Sequence, residues 1–247
     1  MSAMTSKTQT TTIQKEQHSA ARVAGLIYLI AMATSMFAEL YARAPLIVRG
    51  DAMRTALNIA ASEGLFRLGS VIHLVTFASD AVLAIALYVV LRPVGRNVAL
   101  LAASLRLIDS AILSVNMLND FAVLRLVSGT DYLQTFDTKQ LQALARLFLS
   151  VEAAGFQIGF VFLGLGSTVF SYLWLKSRYI PRALAGWGIF ASLVLAVVTL
   201  ACILFPHVGE VIGLTYMAPM FFYEVGLGLW LLIKGIALPV GVAAVPV

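Results

Sequence analysis

Long apolar runs alternate along the chain with short polar or basic breaks. The runs cover residues 21–40, 68–91, 97–127, 151–175, 183–205 and 211–236. Each is near or above the ~20 residues that a helix needs to cross the hydrocarbon core of a bilayer. Backbone amides and carbonyls have no partners in lipid, so such a run must bond within itself as a helix. The pattern therefore predicts an all-α, polytopic bundle of about six transmembrane spans. Residues 1–20 are too poor in large apolar side chains to bury a face and read as a disordered tail; residues 237–247 form a small apolar C-terminal tail. Between the first two spans, the periodic stretch 52–61 follows Gly50-Asp51. Asp51 is placed to cap a short interfacial helix there. Thr138 is the expected cap of a helix leading into the fourth span, with a kink or interfacial first turn near residues 150–155, and residues 206–210 read as an outer turn.

The polar positions within these runs change the picture. In the third span, Arg106, Asp109, Leu113, Asn116 and Asp120 fall within an arc of about 80° over roughly 21 Å of helix axis. An ionised side chain at the centre of a span costs roughly 2.5 to 3.5 kcal/mol on insertion scales, so this stripe should face other helices and not lipid. The second span has a comparable face of Gly69, His73, Thr76, Asp80 and Ala84. The fourth presents Glu152, Gly155, Phe156, Gly159 and Gly166, with Gly155 and Gly159 spaced for close helix approach. Glu39 shares the less apolar face of the first span, and Glu224 lies in the middle of the sixth. The fifth has no charge and reads as a scaffold.

Composition fits this class. The 247 residues are 60% hydrophobic and 12% charged, against about 25% charged in an ordinary globular domain. The net charge of +5 comes from basic residues scattered between apolar runs and not gathered on one surface, which speaks against nucleic acid as partner. The expected counter-charge is the lipid bilayer itself, with anionic headgroups at the basic turns around Arg92–Arg96 and Lys176–Arg182. Nine Lys or Arg residues fall on the side of the termini and seven opposite, counting Arg43 as an outer-loop charge. The two tightest basic turns share the terminal side, so the termini are expected in the cytoplasm. Ala42-Arg43-Ala44 imitates a signal-peptide cleavage site, but Pro45 and a span of full length favour a retained helix. The single Cys202 excludes an intrachain disulfide.

Several segments in order carry a family resemblance: Arg22-Val-Ala-Gly-Leu-Ile-Tyr-Leu, Glu39-Leu-Tyr-Ala-Arg, the Gly50-Asp51 loop, Leu65-Phe-Arg-Leu-Gly, Leu91-Arg-Pro-Val, Leu141-Gln-Ala-Leu and Gly155-Phe-Gln-Ile-Gly-Phe-Val-Phe-Leu-Gly. Together they resemble the membrane proteins grouped as domain of unknown function DUF4386, over roughly residues 22–235. The resemblance implies a multi-pass protein of the bacterial cytoplasmic membrane and carries no catalytic residues onto this chain.

Chemistry must come from the residues themselves. The candidate interior site comprises Glu39, His73, Asp80, Arg106, Asp109, Asn116, Asp120, Glu152, Gln157 and Glu224. One reading is a polar cavity for a cation, proton or small polar molecule, lined by Asp80, Arg106, Asp109, Glu152 and Glu224. A second is an intramembrane enzyme with a metal or carboxylate site, for instance a metal on His73, Asp80 and another carboxylate. The third is a structural or accessory subunit, in which Arg106 pairs with Asp109 or Asp80 and the other acids glue helices together. No Gly-x-Ser-x-Gly, His-Glu-x-x-His or phosphate-binding glycine motif occurs, which weighs against the enzyme. No cofactor, oligomeric state or catalytic residue is indicated.

Overall fold

The computed structural model describes residues 2–128 and 135–237, with side chains described from residue 14 onward and excepting Glu210. The linker at 129–131 and the C-terminal tail from 238 lie outside the described residues. The helices are α1 (Ser2–Phe37), α2 (Ala52–Ala61), α3 (Glu63–Leu91), α4 (Arg96–Asn116), α5 (Leu118–Val127), α6 (Thr138–Ser177), α7 (Arg182–Leu204), α8 (Pro206–Ile212) and α9 (Ala218–Ile233). Among the described residues, six segments are long and apolar enough to cross a membrane: Gln14–Leu46, Glu63–Leu91, Arg96–Val127, Thr138–Ser177, Arg182–Leu204 and Thr215–Ile233. The all-α polytopic bundle read from the apolar runs is the fold observed.

The six long helices close a ring. α1 packs on α3, α3 on α4, α4 on α6, α6 on α7, α7 on α9, and α9 returns to α1. Leu83, Leu87, Phe170, Trp174, Leu195, Tyr223 and Leu227 belong to its main core. A second, smaller core joins Leu46, Ile59, Phe66, Val123, Leu124 and Leu149. There α2 and α5 pack on the first half of α6.

Local chemistry moves several boundaries. The segment read as a disordered tail is helical from Ser2. At its inner end the amide of buried Gln17 donates to the Val90 carbonyl at 2.9 Å, docking the helix on the end of α3. The first span also extends past residue 40, because α1 passes into a π-helical turn (Ala38–Arg43) and then a 3-10 turn (Ala44–Leu46). The third span is two helices, broken at Met117. Asp51 caps α2 as expected, accepting from the Arg54 amide at 2.8 Å. α6, however, is capped by Asp137 and not by Thr138: Asp137 is extended and forms a capping box with Gln140. α6 then runs for 40 residues without a break, about 60 Å and twice the hydrocarbon thickness. Its surplus first turns pack against α2 and α5. The outer turn after α7 is the short helix α8, begun by Pro206 and ended at Gly213 with φ of +58°. The last span consequently starts at Thr215 and not at 211.

Glycines set how closely the ring can pack. A β-carbon on Gly25 would lie 2.7 Å from the Leu232 amide nitrogen and 2.8 Å from the Gly228 carbonyl. Both are backbone atoms of α9, which cannot rotate away. Gly25→Ala is therefore expected to lower stability by about 1 to 3 kcal/mol, the usual penalty of overpacking. Gly186, in α7, has open space around its Cα, so Gly186→Ala should be neutral or stabilising by up to about 1 kcal/mol through helix propensity. Thermal unfolding of the two variants in detergent checks the contrast; a Gly25→Ala protein as stable as Gly186→Ala would contradict the close α1–α9 approach.

Candidate functional site

Two arginine-centred clusters occupy the interior, and they lie at different depths. The first is built on Arg106. Its guanidinium lies 3.5 Å from Asp80 of α3 and 3.7 Å from Glu224 of α9. Its Nη1 donates to the Ser167 hydroxyl of α6 at 3.4 Å. Arg106 is thus reached from three other helices of the ring. Gly166 makes this possible: its Cα stands so close to α4 that a β-carbon would meet Arg106 Cγ at 3.0 Å and the Ala102 carbonyl at 3.1 Å.

The second centre is built on Arg43, and residue spacing did not reveal it. The sequence places Arg43 in an outer loop, just before Pro45. In the structure the π-helical turn carries it inward, where it bonds Asp120 of α5 with one nitrogen and Glu152 of α6 with another. The Phe66 ring lies 4.9 Å from the guanidinium carbon, a cation–π contact. Ser70 of α3 donates to Asp120 at 2.6 Å. Glu39, with 48% of its side chain exposed, stands 3.8 Å away at the lip of the cluster. The sequence marks Asp120 and Glu152 of this centre as interior, but for Arg43 itself its trace is the i,i+4 spacing with Glu39. A π turn shifts the face that follows it, so extrapolating a regular helix past Phe37 could not place Arg43. Asp80 and Ser70 are ten residues apart on α3, and Arg106 and Asp120 fourteen apart on α4 and α5. The two centres are therefore separated by about 15 to 21 Å along the bundle.

Between them sits an aromatic and aliphatic plug of Phe77, Leu113 and Met117, with Phe156 and Phe160 packed against it. His73 lines the Arg43 side of this plug. Its ring stacks on Phe77 at 5.6 Å and meets Phe156 edge-on at 6.1 Å. It is buried, with Nδ1 lacking a hydrogen-bond partner among the described residues. Asp109 lies on the Arg106 side, level with Phe77, whose carbonyl accepts from neighbouring Ser110. It is 1% exposed, yet both of its carboxylate oxygens lack a hydrogen-bond partner among the described residues. Gly159 provides the room, since a β-carbon there would lie 3.1 Å from Asp109 Oδ1 and 2.6 Å from the Leu113 side chain.

The ten candidate residues therefore divide. Asp80, Arg106 and Glu224 meet, with Asp109 in electrostatic reach of all three. The expected i,i+3 pairing of Arg106 with Asp109 is not made, because the guanidinium extends across the ring to α3 and α9. Glu152 does not join that group as the single-cavity reading required; it belongs with Asp120 and Arg43. Asn116 ties the same region of α6 to α4, donating to the Glu152 carbonyl at 2.8 Å. Gln157, half-buried on another face of α6, joins neither centre. His73 is in reach of Arg43 and Asp120, not of Asp80. Among the described residues no three His, Cys, Asp or Glu side chains come together as a group able to hold a metal, so the proposed His73–Asp80 metal set is not assembled.

A family model with the description "Domain of unknown function (DUF4386)" matches residues 23–235. No curated protein and no solved structure matches the chain. The match reaches into all six apolar segments and includes every charged residue of both centres.

Proposed function

Because the chain belongs to the DUF4386 family and is an integral membrane protein with a charged interior, we propose that it binds a proton at buried Asp109 and passes it between the two sides of the bundle. The observation that carries this reading is the pair of unpartnered Asp109 oxygens. A buried carboxylate that accepts no hydrogen bond is costly to keep ionised, and a bound proton or cation removes that cost. Interior carboxylates in pumps and transporters serve this purpose. A metal cation wants six or more oxygen ligands if it is calcium-like, or a near-octahedral set if magnesium-like. Asp109 has Leu113 and Gly159 beside it instead, and Arg106 nearby. The proton is the better fit.

The charge balance supports the same reading. Two interior guanidiniums face five carboxylates, namely Asp80, Asp109, Asp120, Glu152 and Glu224. Arg43 and Arg106 can neutralise two of them, so three depend on protons or ions. Glu39 and His73 lie towards one end and Asp109 with the Arg106 group on the other side of the plug, which gives exchangeable groups on both sides of the narrowest part. A change in packing of Phe77 and Phe156 would connect them.

We assign the termini to the cytoplasmic side of a bacterial cytoplasmic membrane. Moving Arg43 from the outer loop to the interior changes the basic balance from nine against seven to nine against six, which strengthens the positive-inside asymmetry.

The test is flux. Purified protein in liposomes with a trapped pH-sensitive dye is given an imposed pH gradient. The expected result is protein-dependent proton movement that falls to the protein-free level in Asp109→Asn. Movement of sodium or potassium in place of protons, or an Asp109→Asn protein as active as the parent, would overturn the proton assignment.

A further inference from the structure

Away from the charged interior, the terminal end of α1 carries an open pocket of about 390 Å³ lined by Lys15, His18, Ser19, Arg22 and Val23. Spacings of three and four residues put these side chains on one helix face. All five are exposed. Gly235, beyond the end of α9, borders the site, since a β-carbon there would lie 3.6 Å from His18 Nδ1. Continuing along the same face of α1, the next outward residues are Val23, Leu26 and Ile30, which are 43%, 48% and 52% exposed.

The face therefore changes character along its length. It is basic for two turns, where the apolar segment begins, and apolar for the next two, where the segment is inside the bilayer. A free phosphate would use only the basic part. A glycerophospholipid with net negative charge uses both, its phosphate among Lys15, His18 and Arg22 and its acyl chains along Val23, Leu26 and Ile30. Basic pockets beside transmembrane helices hold anionic headgroups by this combination. Lys and Arg at a span end reach such a headgroup by extending their stems along the apolar surface.

We infer that the Lys15–Arg22 face of α1 is a binding site for one anionic phospholipid of the phosphatidylglycerol type. The site is independent of the proton-binding reading. It differs from diffuse attraction to a charged membrane because it depends on one helix face and not on the sum of basic turns.

The test measures retention of phosphatidylglycerol and phosphatidylcholine by the full chain in detergent, using native mass spectrometry with equal lipid concentrations. A preference of about tenfold or more for phosphatidylglycerol is expected from two or three nearby cations. Lys15→Ala/Arg22→Ala should bring the two lipids near parity. Lys176→Ala/Arg178→Ala, at another basic turn on the same side, should lower the preference by less than about twofold, the share of diffuse attraction, and soluble glycerol phosphate at the lipid's concentration should not displace the lipid. Equal loss in both double variants would show diffuse electrostatics and overturn the assignment. So would an undiminished preference in Lys15→Ala/Arg22→Ala, or displacement by glycerol phosphate, which would leave the apolar half of the face without a role.

Discussion

Replacing Arg43 by methionine should destabilise the protein by about 3 to 5 kcal/mol, the cost of removing one member of a buried ionic group. The side chain is nearly fully buried and binds two carboxylates on two different helices. Its loss strands Asp120, whose other oxygen already lacks a partner among the described residues, and Glu152 beside it. It also removes the contact with Phe66. The expected readout is a fall of roughly 10 °C in Tm in detergent. Removing the acids as well tests the cause: Arg43→Met/Asp120→Leu/Glu152→Leu should recover most of the loss, because a well-packed apolar replacement of a whole buried ionic group is often neutral. A triple variant no better than Arg43→Met would assign the effect to packing. An Arg43→Met protein with the parent's Tm would place Arg43 outside the bundle, as a regular extrapolation of the first span does.

Arg106→Met should be costly for a related reason but recover differently. Arg106 contacts Asp80, Glu224 and Ser167 at 3.4 to 3.7 Å, longer than the contacts of Arg43, and its Nε has no partner among the described residues. The loss is expected at about 3 kcal/mol, the low end for a broken buried pair. Three carboxylates are then left facing one another in the ring, Asp80, Asp109 and Glu224. Adding Asp80→Asn and Glu224→Gln removes two of those charges while keeping shape and hydrogen-bonding capacity, and should restore most of the lost Tm. If the neutralising pair destabilises Arg106→Met further, the three acids are not held there by that guanidinium.

The sequence made much of the interior legible, for a specific reason. Within a single regular helix the 100° periodicity fixes which residues share a face, so the Arg106–Asn116 part of the stripe on α4 and the glycine face of α6 could be read directly. The glycines also indicated a close partner, and α4 is that partner at Gly155, Gly159 and Gly166. Which acid meets which arginine depends on the order of helices around the ring, and no spacing within one helix encodes it. Glu152 and Glu224 looked equivalent for that reason, yet one belongs to each centre. Arg43 was hidden by a local irregularity: Pro45 and the small residues around it resemble the end of a span, whereas the π-helical turn continues inward. Gln17 was hidden by composition, since a polar residue in a Ser-, Thr- and Gln-rich segment signals exposure until the end of α3 supplies a carbonyl for it.

Asp109 is the residue on which proton binding by this protein turns. The most direct measurement is the rate of proton movement into liposomes for three proteins compared at equal incorporation: the parent, Asp109→Asn and Asp109→Glu. Proton binding at this carboxyl predicts a protein-free rate for Asp109→Asn, which keeps the shape but cannot exchange a proton, and a partial rate for Asp109→Glu, which keeps the chemistry but crowds Gly159. Equal rates in the parent and Asp109→Asn would contradict it.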